Sequence, residues 1–162
     1  MKKLFFINVI ILLLFSSCSN EEDCCFPGDD DIFEIVLLNA SGENLLDPNI
    51  PGSFNTSKIK VFNILNGEKM EINNPNSDYP KGYNIIERNS AFRFVPLFGN
   101  SNLDVSEGII QWNEHEEDTI TLFYSQQSEN VRRLIRIFYN NEEVWNETSA
   151  DNREERFFEI IK

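Results

Sequence analysis

Cysteine is scarce and confined: the three in the chain stand at positions 18, 24 and 25, so no disulfide can staple anything further on. Histidine is scarcer still. His115 is the single one, which leaves a zinc site without its usual partners and obliges any Ser-His-Asp arrangement to take its base from a polar turn. No Gly-x-Ser-x-Gly, phosphate loop or dinucleotide glycine pattern occurs, and no residue is assigned a catalytic role. Basic residues are few, 14 against 27 acidic ones, whereas binding nucleic acid requires clustered Lys and Arg to displace counterions. Nucleic acid is excluded as a partner on that balance, and adhesion to anionic headgroups is disfavoured with it. A long apolar stripe of 3.6-residue period is also missing, which removes any helical architecture.

What the chain does have is an apolar block at its start. Lys2 and Lys3 precede a run of 12 residues from Leu4 to Phe15, broken only by Asn8, and Phe15-Ser16-Ser17-Cys18 follows. The run is shorter than the about 20 helical residues that a hydrocarbon layer needs, so it reads as a cleaved export signal rather than a membrane span. Residues 1–23 resemble the signal and lipobox of bacterial lipoproteins, with Phe15 where Leu is usual at the third position before the cysteine. The resemblance implies cleavage before Cys18, diacylglycerol on its sulfur and an acylated amine. Ser19-Asn20-Glu21-Glu22-Asp23 resembles the short acidic tract of surface-exposed lipoproteins of the Bacteroidota type, which implies lipid-anchored display on the outer face of the outer membrane. Two or three acyl chains, at about 0.8 kcal/mol per buried CH₂, hold such a protein without help from its folded part.

The organisation that follows is a signal peptide over 1–17, a lipidated acidic tether over 18–31 and one domain over 32–162. Phe26-Pro27-Gly28 and Asp29-Asp30-Asp31 form the far end of the tether, whose acidity and Pro-Gly break suit an extended spacer. Cys24 and Cys25 fall inside it, where an adjacent pair can close a strained ring, pair between molecules or stay free. Loss of Lys2 and Lys3 leaves 12 basic residues against 27 acidic ones, a formal charge of −15. Such a surface stays soluble and favours cationic, neutral or cation-bridged partners.

Within the domain, apolar residues recur with period two or in short runs between Asn, Gly, Asp and Pro, which predicts an all-β fold. Strands are expected over 32–38, 59–65, 68–73, 83–87, 92–97, 103–112, 119–124, 131–139, 143–146 and 157–161. The first reads as buried on both faces. Asn66-Gly67 suits a two-residue type I′ turn, and Asn89-Ser90 and Asn140-Asn141 mark further tight hairpins. Met70 and Ile72 are assigned to the buried face of their strand, and Phe92 and Phe94 point inward against Arg93 outward. Eight to ten short strands indicate a two-sheet sandwich of immunoglobulin-like or transthyretin-like kind. The long connection from Asn39 to Thr56 breaks the rhythm; Leu45, Leu46, Ile50 and Phe54 are available to pin it across a sheet edge, with ligand contact as the alternative. Leu45-Leu46-Asp47-Pro48-Asn49, Ile59-Lys60-Val61-Phe62 and Asn66-Gly67 resemble a pattern of small surface lipoproteins, which brings no activity with it.

Three features bear on chemistry. Glu114, Glu116, Glu117 and Asp118 crowd the connection around His115 and supply hard oxygen ligands of the kind calcium takes, although the Asp-x-Asp-x-Asp-Gly spacing is missing; a solvated turn is the default. Glycoside hydrolysis would need two carboxyls held roughly 5 to 9.5 Å apart on a rigid cleft, which a short exposed connection does not provide. Trp112 and Trp145, with Tyr79, Tyr83, Tyr124 and Tyr139 as neighbours, are candidates for a sugar-stacking platform; alternatively both indoles seal the ends of the core with their N–H groups at its rim. Arg132, Arg133 and Arg136 form a basic cluster in which alternation places Arg132 and Arg136 on one face. Asp118-Thr119-Ile120 matches the O-glycosylation motif of exported Bacteroidota-type proteins, with Thr119 as acceptor, while Asn-x-Ser/Thr triplets at Asn39, Asn55 and Asn146 carry no meaning in a bacterial chain. The expected function is binding without catalysis, of a protein partner first and of a glycan second, with a calcium-dependent or hydrolytic domain third and no other cofactor.

Overall fold

Extended segments bury one face each only when two sheets close on one another, and the chain does this with ten strands among the described residues. The computed structural model describes residues 32–97, 103–128, 131–149 and 156–162. The strands are β1 (Glu34–Leu38), β2 (Lys60–Leu65), β3 (Glu68–Glu71), β4 (Tyr83–Arg88), β5 (Ala91–Pro96), β6 (Val105–Asn113), β7 (Glu116–Ser128), β8 (Val131–Tyr139), β9 (Glu142–Asn146) and β10 (Phe157–Ile161). Four of them form a sheet in the order β10-β1-β5-β4, and six form a second in the order β3-β2-β6-β7-β8-β9. The fold is a β-sandwich. Neighbours pair antiparallel except β1 and β10, which run parallel from Glu34 opposite Phe157 to Leu38 opposite Ile161.

Alternation fills the space between the sheets. Phe33, Ile35, Leu37 and Phe94 face inward from the smaller sheet and meet Val61, Ile110, Ile120, Leu122, Leu134 and Ile137 of the larger one. Each such side chain contributes about 1.5–3 kcal/mol on burial. Phe94 lies at the centre, its ring 5.1 Å from Tyr83 and 5.0 Å from Trp112. β1 is buried on both faces as expected, since Glu34 and Val36 on its far side are also covered. Glu34 takes up Arg93 there at 2.6 Å and Arg88 at 3.0 Å, so Arg93 does point away from the core yet is itself buried, over the Phe157 ring.

The three hairpin turns that begin with Asn, unlike Glu114 and His115 between β6 and β7, have both central residues at positive φ: Asn66 and Gly67 at 54° and 81°, Asn89 and Ser90 at 52° and 62°, Asn140 and Asn141 at 48° and 68°. That is the type I′ requirement, and Ser90 meets it least comfortably because its Cβ crowds the left-handed conformation. Ser90→Gly is therefore expected to stabilise the domain by about 0.5 kcal/mol, the relief of strain outweighing the added freedom of the unfolded chain. The urea midpoint should rise with the slope unchanged.

Two expectations need correction. Met70 is 51% exposed rather than buried, because β3 is an edge strand of the six-stranded sheet and four strands cannot cover six; Ile72, further along, does pack on the core. Arg132 and Arg136 do not share a face. Phe123 stands opposite Arg136 while its neighbour Tyr124 stands opposite Leu134, so Ile135 is an extra residue in β8 that reverses the alternation. The long connection is pinned as anticipated: Leu45 and Leu46 are buried, Phe54 packs 5.5 Å from Trp112, and Asn44 Nδ2 donates to the Phe92 carbonyl at 2.8 Å.

Candidate functional site

The acidic connection contracts to a turn at Glu114 and His115, and Glu116, Glu117 and Asp118 become the first residues of β7. Alternation turns Glu117 outward, while Glu116 and Asp118 share the other face and both bind Lys162. Glu117 pairs with Lys69 at 2.5 Å and Glu116 with Lys162 at 2.6 Å, while Asp118 lies opposite Ile110 on the inner face and is buried. The expectation of a wholly solvated turn fails at that residue. Trp112 is an extra residue in β6, since Gln111 faces Glu117 and Asn113 faces Glu116, and the bulge aims its indole at the same point.

Asp118 accepts from Trp112 Nε1 at 2.5 Å, from Asn140 Nδ2 at 2.7 Å, from the Tyr139 hydroxyl and from Lys162 Nζ. Four donors saturate a carboxylate. Burial is the largest single influence and would push its pKa up, but the bonds from Lys162, Tyr139, Asn140 and Trp112 together outweigh it and hold the carboxyl below its usual range. The same burial, with Asp118 beside it, drives the Tyr139 phenol far above its ordinary value. A depressed, fully donated carboxylate is a poor base, nucleophile or metal ligand. Among the described residues no group of three or more His, Cys, Asp or Glu side chains is placed to hold a metal ion, so Glu114, Glu116, Glu117 and Asp118 do not converge as calcium ligands.

Neither tryptophan presents a stacking face: Trp112 is fully buried and Trp145 is 3% exposed. A sugar platform needs an open indole, so both rings serve the core, with the Trp112 N–H spent on Asp118. Tyr124 and Tyr139 are buried, Tyr83 donates its hydroxyl to the Thr56 carbonyl at 2.5 Å, and Tyr79 alone of the four is exposed. The arginines disperse, Arg132 to Asp104, Arg133 to Glu147 at 3.0 Å and Arg136 to Glu143 at 3.9 Å. Thr119 is exposed beside the turn at Asn140, whose Oδ1 accepts from the Thr119 amide at 2.9 Å. Cys18, Cys24, Cys25 and residues 1–31 lie outside the described residues.

Two surface features were not singled out in the sequence. The outer face of the six-stranded sheet carries Phe62 opposite Ile109 and Val105 opposite Phe123, all half-buried or exposed, with the Phe123 ring 5.2 Å from that of Phe138. Lys69 lies 4.2 Å over Phe62, and Arg136 lies 4.7 Å over Phe123 and 5.8 Å over Phe138. The signal was present in runs such as Leu122-Phe123-Tyr124 and Ile137-Phe138-Tyr139, which are apolar at both parities. Beyond the Phe62–Ile109 pair, the next outward pair, Lys60 and Gln111, opens into a groove of about 1000 Å³. Lys58, Lys60, Lys81, Glu71, Ile72 and residues of the Glu114–Glu116 turn are among its lining. Gly82, at φ +72°, lets the connection carrying Lys81 lie against Ile72, where a Cβ would come within 2.7 Å of that side chain. Comparison of the chain with protein-family models, with curated proteins and with solved structures returned no match.

Proposed function

We propose that this protein is a lipid-anchored binding module of the bacterial outer surface, tethered through Cys18, that engages a protein partner through the outer face of its six-stranded sheet. The observation that supports this reading is a set of apolar side chains on that face, Phe62 beside Ile109 and, past Glu107, Val105 with Phe123 and Phe138, half-buried except for the exposed Val105, on a chain otherwise dominated by carboxylates. Open apolar patches rimmed by polar groups mark interaction sites. Most charges around it are paired, Lys69 with Glu117, Arg133 with Glu147 and Arg136 near Glu143, and the exposed Glu107 stands between Ile109 and Val105. A face whose cations are all matched by acids gives no field to draw a polyanion or an anionic membrane, and favours a protein surface that buries apolar area. Half-buried aromatic rings capped by cations match the anchors that dominate such interfaces.

A photo-crosslinking residue placed at Phe123 of the full chain, in whole cells, should give one discrete adduct, and the same residue at Glu43 should give none. Phe138→Glu should abolish the adduct. Equal labelling from both positions, or an adduct made of two copies of this chain, would overturn the reading. The anchor is tested separately by Cys18→Ala, which should accumulate as uncleaved precursor without acyl label; a variant still processed and acylated sinks the anchor alone.

A further inference from the structure

The ions on the outer face of the six-stranded sheet are unequally held. Lys69 is bound by Glu117 at 2.5 Å and Arg133 by Glu147 at 3.0 Å. Arg136 is different. Its contact with Glu143 is 3.9 Å, beyond hydrogen-bond length, between side chains 41% and 40% exposed, and it makes no side-chain hydrogen bond among the described residues. The acid balances its charge and leaves its N–H donors unspent. What positions the guanidinium is the aromatic pair beneath it, Phe123 at 4.7 Å and Phe138 at 5.8 Å. Glu107 is its counterpart of opposite sign, exposed and with no ion pair or side-chain hydrogen bond among the described residues. Register places both in one block: Glu107, Thr121 and Phe138 form a row across β6, β7 and β8, and Val105, Phe123 and Arg136 form the next. The two charges therefore stand at opposite corners. Two strand spacings across and two residues along put their Cα atoms roughly 12 Å apart.

We infer that the partner presents a carboxylate to Arg136 and a cation to Glu107, at that separation and on either side of an apolar patch that covers Phe123 and Phe138. The inference rests on the protein-partner reading and supplies the chemistry of the partner. A surface that buries the two rings also takes water from the ions at the corners of the block, and an ion left unmatched in an interface is penalised. A facing carboxylate can take paired bonds from the guanidinium that Glu143, at its distance, does not make. A wholly apolar partner would strand both ions. A surface of one sign would match one corner and repel the other, so the pair selects for a partner carrying both.

The test reads the yield of the whole-cell adduct formed by the photo-crosslinking residue at Phe123 of the full chain. Arg136→Gln and Glu107→Gln should each cut that yield at least about tenfold, as removal of one member of an interfacial charge pair does. Arg136→Lys should recover only part of the loss, because it restores the charge without the fork of donors. Lys81→Gln, which removes a cation away from this face, should leave the yield unchanged. Urea midpoints of the purified variants should stay within the small range of ordinary surface substitutions, which separates lost binding from lost folding. Tandem mass spectrometry of the adduct locates the attached segment of the partner, and reversing the acid there to arginine should restore the adduct to Arg136→Glu. An adduct indifferent to Arg136→Gln and Glu107→Gln, an equal loss with Lys81→Gln, or no rescue by the reversed acid would overturn the inference and leave the protein-partner reading standing. Absence of any adduct, or an adduct of two copies of this chain, would overturn both.

Discussion

Asp118→Ala should lower the unfolding midpoint of the domain by about 10–15 °C, taking a loss of about 3–5 kcal/mol and a conversion near 3 °C per kcal/mol for a domain of this size. The reasoning is an accounting of donors. Lys162 Nζ, the Tyr139 hydroxyl, Asn140 Nδ2 and Trp112 Nε1 all converge on one carboxylate, and alanine returns none of those bonds to solvent-free groups. Lys162 suffers most, being left at 14% exposure with Glu116 as its remaining acid. Asp118→Asn should cost less, since one oxygen still accepts, but it removes the charge. The two variants separate hydrogen bonding from ion pairing. The wild type should also show an acid dependence that Asp118→Asn lacks. Its carboxyl has a folded pKa below the unfolded value of about 3.9, so the unfolded chain takes up the proton more readily. The stabilisation is complete above about pH 4 and is lost as pH falls through the folded pKa. Midpoints of both proteins measured from pH 7 down to pH 2 should therefore converge at the acid end; parallel curves would show that Asp118 is not the group responsible.

Trp112→Ala should be as damaging, at about 3–5 kcal/mol, because it opens a cavity beneath Phe54 and Phe94 and strips Asp118 of a donor. Trp112→Phe keeps most of the volume and loses only the N–H, so about 1–2 kcal/mol is expected. Chemical denaturation of the single variants and of Trp112→Phe with Asp118→Asn should reveal a coupling of at least about 0.5 kcal/mol, as contacting residues in one network show. Strict additivity would mean that the indole and the carboxylate act separately. The same series bears on function, since a tryptophan spent on the core alters stability wherever the ligand binds.

The fold was legible where local chemistry decided it. Asn66-Gly67, Asn89-Ser90 and Asn140-Asn141 each specify a turn within two residues, and the alternation on either side specifies the inward face. What could not be read was set by partners distant in the chain. Asp118 looked like a member of an exposed acidic run because its donors come from Trp112 in the bulge, Tyr139 and Asn140 at the β8 end, and Lys162. The extra residue at Ile135 leaves no mark on the hydrophobic pattern, yet it moved Arg136 to the face opposite Arg132. Met70 alternates correctly and still meets water, because coverage depends on how far the opposing sheet extends. Lys81 reaches the Ser57 carbonyl in a connection that Gly82 lets lie against Ile72, a relation that spacing along the chain does not encode.

The parallel alignment of β10 beside β1 has a mechanical side. β1 lies between β10 and β5, and its five register pairs with β10 run in step along the strand. A pull applied ahead of Glu34 along the strand axis loads those hydrogen bonds together in shear, instead of peeling them one at a time as a tug across an edge would. Resistance to such a pull is governed by the rate of unfolding rather than by equilibrium stability. A domain held by a leash at that end would yield last at the strand nearest its attachment, so drag on a captured partner would strain the docking surface before it unravelled the anchor side of the sandwich.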